Sequence, residues 1–197
     1  MCRTRVRSCL ALLAALLVSA AGFGRGSTDP PGRPGEGGRV IAGPGPMPAL
    51  PGGGFGAVVI VSDKTVGPPA IPFATMYVDV PDWGAAVRHL TSPPPWARPD
   101  GSVTALVVTG HGSAEGGVAT KNSHTHLSDS NLSADHAAAI QAKLRPDAPV
   151  VLLGCHGGTD NLCPLARKLN RRVIANTGAV WISPAVRGAG DWVEFRP

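Results

Sequence analysis

The chain predicts an α/β fold, a three-layer α/β/α sandwich around a mainly parallel central sheet, and three observations carry that expectation. Two apolar runs, Val103 to Thr109 and Pro149 to Leu153, are short, rich in β-branched residues and bounded by turn formers, as strands buried on both faces are. Between them, Ser133 precedes an Ala-rich stretch, Ala134 to Leu144, which reads as a capped helix. Further short apolar runs lie on either side of this strand, crossover helix and strand, a pattern that builds a sheet covered by helices.

The first 21 residues read as a signal peptide. Arg3, Arg5 and Arg7 form a basic start, Cys9 to Val18 an apolar run, and Val18-Ser19-Ala20 an A-x-A-like cleavage site before Ala21. That run is too short to span a bilayer comfortably, so the expectation is a secreted protein, with an uncleaved membrane anchor as the alternative. No other stretch is long and apolar enough to span. Signal removal takes three of the 18 basic residues and none of the 13 acids, so formal charge falls from +5 to about +2. A nearly balanced domain gives no electrostatic case for nucleic acid. Cys2 and Cys9 leave with the signal, and the remaining Cys155 and Cys163 are too few for a disulfide-built scaffold.

Residues 22–54 are dominated by Gly, Pro and Arg, and read as a linker or propeptide whose one apolar island is Arg39 to Ile41. Arg25, Arg33 and Arg39 are candidate processing sites within it. The domain itself is expected over 55–197, where 43% hydrophobic content across the chain suffices for a core. Phe55 to Ser62 reads as its first strand, and Ile71 to Val80 as a strand or an irregular insertion. Pro81 and Asp82 open a short helix from Trp83 to Leu90. A Pro-rich loop through Ser92 to Gly101 leads to the central unit. After it, Thr159-Asp160 caps a helix through Leu162, Leu165 and Leu169 whose last turn holds Arg167, Lys168 and Arg171. Arg172 to Ala175, Ala179 to Ser183 and Asp191 to Phe195 are the closing strands. Arg171 and Arg172 read as groups that solvate the helix end.

Chemistry gathers where the two central strands stop. One runs into Gly110-His111-Gly112, the other into Gly154-Cys155-His156-Gly157-Gly158. A right-handed crossover brings both ends to one edge of the sheet, where open α/β sheets place their sites. A thiol beside an imidazole is the minimum for nucleophilic catalysis, because the thiolate attacks and a neighbouring base or cation favours it.

These two blocks resemble the caspase-like cysteine peptidases of clan CD, in which an apolar strand runs into His-Gly, a helix follows, and a second apolar strand runs into Cys. Val107 to Gly112 matches the first block and Val150 to Cys155 the second, and 44 positions separate His111 from Cys155, against about 50 in caspases. Leu153 and Gly154 replace the Gln and Ala of the caspase signature, so the chain is closer to bacterial secreted or toxin-associated members than to caspases proper. The resemblance spans about 100 to 183. It implies a cysteine endopeptidase acting on a peptide or protein substrate, with Cys155 as nucleophile and His111 as proton donor to the leaving amine. Oxyanion donors would be the backbone N–H groups of Gly112 and Cys155. Substrate binding would fall to Asn176, Thr177, Gly178 and Trp181, although Trp181 reads equally as core. The resemblance implies no cofactor and no metal.

Two other roles stay open. Cys155 could pair with Cys163, eight positions on, as a structural disulfide in a non-catalytic binding or toxin-associated module. A zinc hydrolase is the third reading, with His124, His126 and Asp129 as close ligands and His156 or Cys155 adding to them, although this fits no standard spacing. His89 and His136 read as surface groups, and His156 as pointing away from the site in an extended segment. Lys121 to Asp129 is either a mobile flap or a processing loop.

Overall fold

The computed structural model describes residues 32–92, 102–112, 117–119 and 126–197. Its centre is a seven-stranded sheet built from β1 (Arg39–Ala42), β2 (Ala57–Val61), β3 (Thr75–Val78), β4 (Ala105–Thr109), β5 (Val150–Leu153), β6 (Val173–Asn176) and β7 (Trp192–Phe195). The strand order is β1-β7-β6-β5-β4-β2-β3. Five strands, β3, β2, β4, β5 and β6, run parallel, while β7 is antiparallel to β6 and β1 antiparallel to β7. The fold is therefore mixed α/β with a mainly parallel sheet, as the apolar runs predict. Every residue of β2, β4 and β5 is buried, so these strands carry apolar groups on both sides instead of alternating.

Among the described residues three α-helices connect the strands: α1 (Trp83–Thr91), α2 (Ala134–Lys143) and α3 (Cys163–Leu169). Asp82 caps α1 by accepting from the Ala85 N–H at 2.7 Å, and Ser133 caps α2 by accepting from the His136 N–H at 3.2 Å. Each such cap contributes about 1 kcal/mol. The helix expected from Thr159 begins later. Gly157–Thr159 forms a single 3-10 turn, and α3 starts at Cys163, which puts Pro164 in the first turn where its missing N–H costs nothing. Asn170, left-handed with φ 47°, stops it. Arg171 does more than solvate this end, because its guanidinium donates to the carbonyls of Gln141 and Leu144 at the end of α2. Arg172 lies 3.7 Å from Glu194 of β7.

The expected three layers are not what the described residues form. All three helices pack on one face, where Trp83, Leu90, Ile140, Leu165 and Leu169 meet Ile60, Leu106, Val108, Leu152 and Phe195. The opposite face, with Val59, Val107, Val151 and Trp192, is covered by irregular segments through Leu50, Ile182 and Val186. Each fully buried aliphatic side chain contributes about 1.5–3 kcal/mol, so both faces add to stability although, among the described residues, one carries no α-helix.

Part of that cover comes from the stretch expected to be linker. From Gly32 onward it lies on the domain: β1 pairs with β7, the Met47 N–H donates to Val186 O, and the Trp192 indole donates to Gly45 O. Val180–Trp181, all that forms of the strand expected over 179–183, joins Arg187–Gly188 and Gly45–Pro46 in a separate three-stranded sheet. The segment escapes a compositional reading because its few apolar groups are ordered by partners distant in sequence. The signal peptide, the linker up to residue 31 and most of the Pro-rich loop lie outside the described residues. Among those described, no helix is long and apolar enough to cross a membrane.

Candidate active site

Strands β4 and β5 are direct neighbours in parallel register, with Thr109 opposite Leu153. Gly110 carries the first into His111–Gly112 and Gly154 the second into Cys155, so both blocks leave the same edge of the sheet. Their backbones touch. A Cβ on Gly112 would overlap the Cys155 carbonyl and lie 3.1 Å from its nitrogen, and one on Gly154 would lie 3.1 Å from the Gly112 Cα. Glycine is required at both positions for close approach.

The end of β4 is pinned from outside. The Ser62 N–H donates to Thr109 O at 2.9 Å, and its buried hydroxyl donates to Ala119 O at 2.7 Å while also lying 3.0 Å from Thr109 O. Gly110 allows this, since a Cβ there would sit 2.8 Å from Ala119 O and 2.5 Å from Val118. His111–Gly112 then pairs with Val118–Ala119, which pairs with His126–Leu127. His111 itself is exposed.

Cys155 is half-buried and its thiol is free, as is that of Cys163, so the disulfide considered from sequence does not form. The Cys163 sulfur instead lies 3.7 Å from Glu36 O. Among the described residues the Cys155 N–H meets no acceptor, as an oxyanion donor must not. The residue after it makes the turn. His156 adopts φ 60°, a left-handed conformation that costs a side chain about 1–2 kcal/mol. Several hydrogen bonds hold it there. Its N–H donates to Gly178 O at 2.9 Å, its ring Nδ1 lies 3.1 Å from Thr177 O, and its carbonyl accepts from the N–H and hydroxyl of Thr159. A carbonyl partner requires Nδ1 to carry a proton. His156 is thus not in an extended segment facing away, but ties the Cys155 turn to the end of β6.

The substrate-binding residues expected at Asn176, Thr177 and Gly178 are largely spent on the fold. Asn176 and Thr177 are buried. The Asn176 side chain donates to Gly190 O and accepts from the N–H groups of Gly178 and Gly190. The Thr177 hydroxyl accepts from the Asp191 N–H, and its carbonyl accepts from the Gly32 N–H. Only Trp181, 43% exposed, keeps a side chain open to solvent, so its reading as core does not hold. Burial pushes the Asp160 carboxyl, on the same loop as Cys155, above its ordinary range.

The zinc reading gains no geometry. His124 and most of the connection from Lys121 lie outside the described residues, and among those described no three His, Cys, Asp or Glu side chains cluster. His89 stacks on Tyr77 with ring centroids 4.2 Å apart instead of standing free in solvent. Two of the surface concavities lie elsewhere. One of about 280 Å³ is lined by Met47, Leu50, Ile71 and Val186, and another of about 340 Å³ by Asp147, Arg171, Arg172 and Arg196.

Sequence reasoning missed Ser62 and the clamp made by His156. Nothing local marks Ser62, a turn former after a strand. The His156 clamp has one signal, a non-Gly residue between Cys155 and two glycines, where a tight turn is forced. No curated protein and no solved structure matches the chain. Residues 92–190, which contain His111, Gly112, Cys155 and the Asn176 turn, match a family model described as a domain of unknown function (DUF8616), and the chain belongs to that family.

Proposed function

We propose that this domain is a cysteine endopeptidase of caspase-like type in which Cys155 and His111 form the catalytic dyad. The observation that carries the reading is the contact between Gly112 and the Cys155 peptide unit at the shared edge of β4 and β5. Adjacent parallel strands ending in His-Gly and in Cys, with α2 between them in sequence, are what the clan resemblance implies. The free thiol of Cys155, and its N–H without an acceptor among the described residues, support it further.

In this reading the Cys155 thiolate attacks the carbonyl carbon of a peptide bond, forming a C–S bond, while the developing oxyanion is met by the N–H groups of Cys155 and Gly112. The C–N bond breaks as the His111 imidazolium gives its proton to the departing amine. Water then cleaves the thioester, releasing a carboxylic acid and restoring the thiol. Trp181 offers an exposed apolar surface for a substrate side chain. The basic and apolar run before Ala21 makes this an exported enzyme, and the edge position of the site suits an extended peptide. A fluorogenic peptide library incubated with wild type, Cys155→Ser and His111→Ala tests the proposal. Cleavage by wild type alone is the expected result, and equal cleavage by all three would refute it.

A further inference from the structure

The residues just before β1 run across the loop that carries Cys155. The Gly32 N–H donates to Thr177 O at 3.0 Å, beside the His156 ring nitrogen that shares this carbonyl. The Gly35 N–H donates to Gly158 O at 2.9 Å, and Glu36 O lies 3.7 Å from the Cys163 sulfur. This stretch is glycine-rich because it is pressed flat. A Cβ on Gly35 would overlap Asp160 and lie 2.9 Å from Thr159 O, one on Gly37 would lie 2.5 Å from the Cys163 sulfur, and one on Gly38 would lie 2.5 Å from Val193. Gly43, farther along, has nothing near it. The glycines are therefore packing residues here, whereas composition alone reads them as flexible linker.

From Gly32 to Gly37 these contacts fall on His156's partner Thr177 and on Gly158, Thr159, Asp160 and Cys163. Among the described residues, no close approach of this stretch involves His111, Gly112, Gly154 or Cys155. The stretch braces the back of the turn and leaves its front open. We infer that Gly32–Gly38 is a strap that holds the Cys155 turn in its working shape, so that cutting or lifting it switches the site off. This rests on the dyad reading above, and it makes processing between Gly32 and Arg39 an inactivating event, the reverse of propeptide release. A left-handed His156 stores strain, and without Gly32 on Thr177 O and Gly35 on Gly158 O fewer bonds hold the turn in that conformation. The Cys155 N–H, as oxyanion donor, moves with the turn.

Iodoacetamide labelling of both thiols, mapped by peptide mass, tests it on wild type, Gly35→Ala, Gly43→Ala and a chain beginning at Arg39, each with and without His111→Ala. Protection of the β2 and β4 amides from hydrogen exchange verifies that each variant is folded. Gly35→Ala and the shortened chain should label faster at Cys163, as the strap lifts from its sulfur. At Cys155 they should lose the part of the rate that depends on His111, a fall of about 10²-fold for a displacement near 1 Å. Gly43→Ala should match wild type. Faster Cys163 labelling with Cys155 unchanged, or accelerated, would overturn the inference, as would no change at either thiol. If wild-type Cys155 is indifferent to His111→Ala, the dyad reading fails by itself. The brace is then decided by exchange at 156–160, where faster exchange in Gly35→Ala supports it and unchanged exchange refutes it.

Discussion

Gly112 lies against the peptide unit of Cys155 so closely that a Cβ on it would stand 3.1 Å from the Cys155 nitrogen and overlap its carbonyl oxygen. Gly112→Ala must therefore push apart the two strand ends that carry His111 and Cys155. A shift near 1 Å at a reacting group costs about 10²-fold in rate, and that is the loss expected in the labelling of Cys155. The fold should survive, because β4 and β5 remain paired over Leu106 to Thr109. Far-ultraviolet circular dichroism and labelling rates on one sample separate the two effects.

Ser62 pins the far side of the same strand end. Ser62→Ala removes the hydroxyl that reaches Thr109 O and Ala119 O; Thr109 O keeps the Ser62 N–H, but the half-buried Ala119 O loses this donor, at a cost of about 1 kcal/mol or somewhat more. The thermal midpoint should fall by several degrees.

Asn176 makes three buried hydrogen bonds with its side chain, so Asn176→Ala should destabilise the domain by about 2–4 kcal/mol at about 1 kcal/mol per bond plus the polar groups left unpaired. Trp181→Ala should behave oppositely, with little change in stability because the ring is exposed, and with a raised KM for any peptide that is cleaved. Denaturant unfolding of the two variants side by side distinguishes a structural residue from a substrate-facing one.

Asp160 gives a pH-dependent test. Burial raises its pKa above the unfolded value near 3.9, so the folded state binds the proton more tightly. The stability it contributes is full below the unfolded pKa and is lost as pH rises through the folded one. Asp160→Asn should accordingly be more stable than wild type at neutral pH and no more stable in acid below the carboxylate range. Its partial exposure makes the gain small. Thermal midpoints across that range read the sign directly.

Much of the sheet was legible because its strands are buried on both faces: β2, β4 and β5 appear as unbroken apolar runs, and Asp82 and Ser133 announce their helices. That the His111-Gly112 block and Cys155 leave neighbouring strands at one edge followed from topology alone, since a crossover between neighbouring parallel strands leaves few other outcomes. Tertiary choices were not legible. Gly32 to Gly38 looks like a tether because glycine in a tether and glycine pressed onto a neighbouring chain are the same letter. The clan resemblance alone assigns Asn176 to the pocket, and a polar group after a strand closes a turn as readily as it faces a site; here it closes one. The start of α3 slipped from Thr159 to Cys163 because Gly157 and Gly158 favour a tight turn and Pro164 fits a first turn.

The dyad is tested most directly by the rate at which iodoacetamide labels Cys155 in wild type and in His111→Ala, measured against pH with Cys163→Ser as background. A poised dyad predicts fast labelling of Cys155 in wild type, slowed in the His111 variant across the pH range. Equal labelling rates for the two proteins at every pH would contradict it.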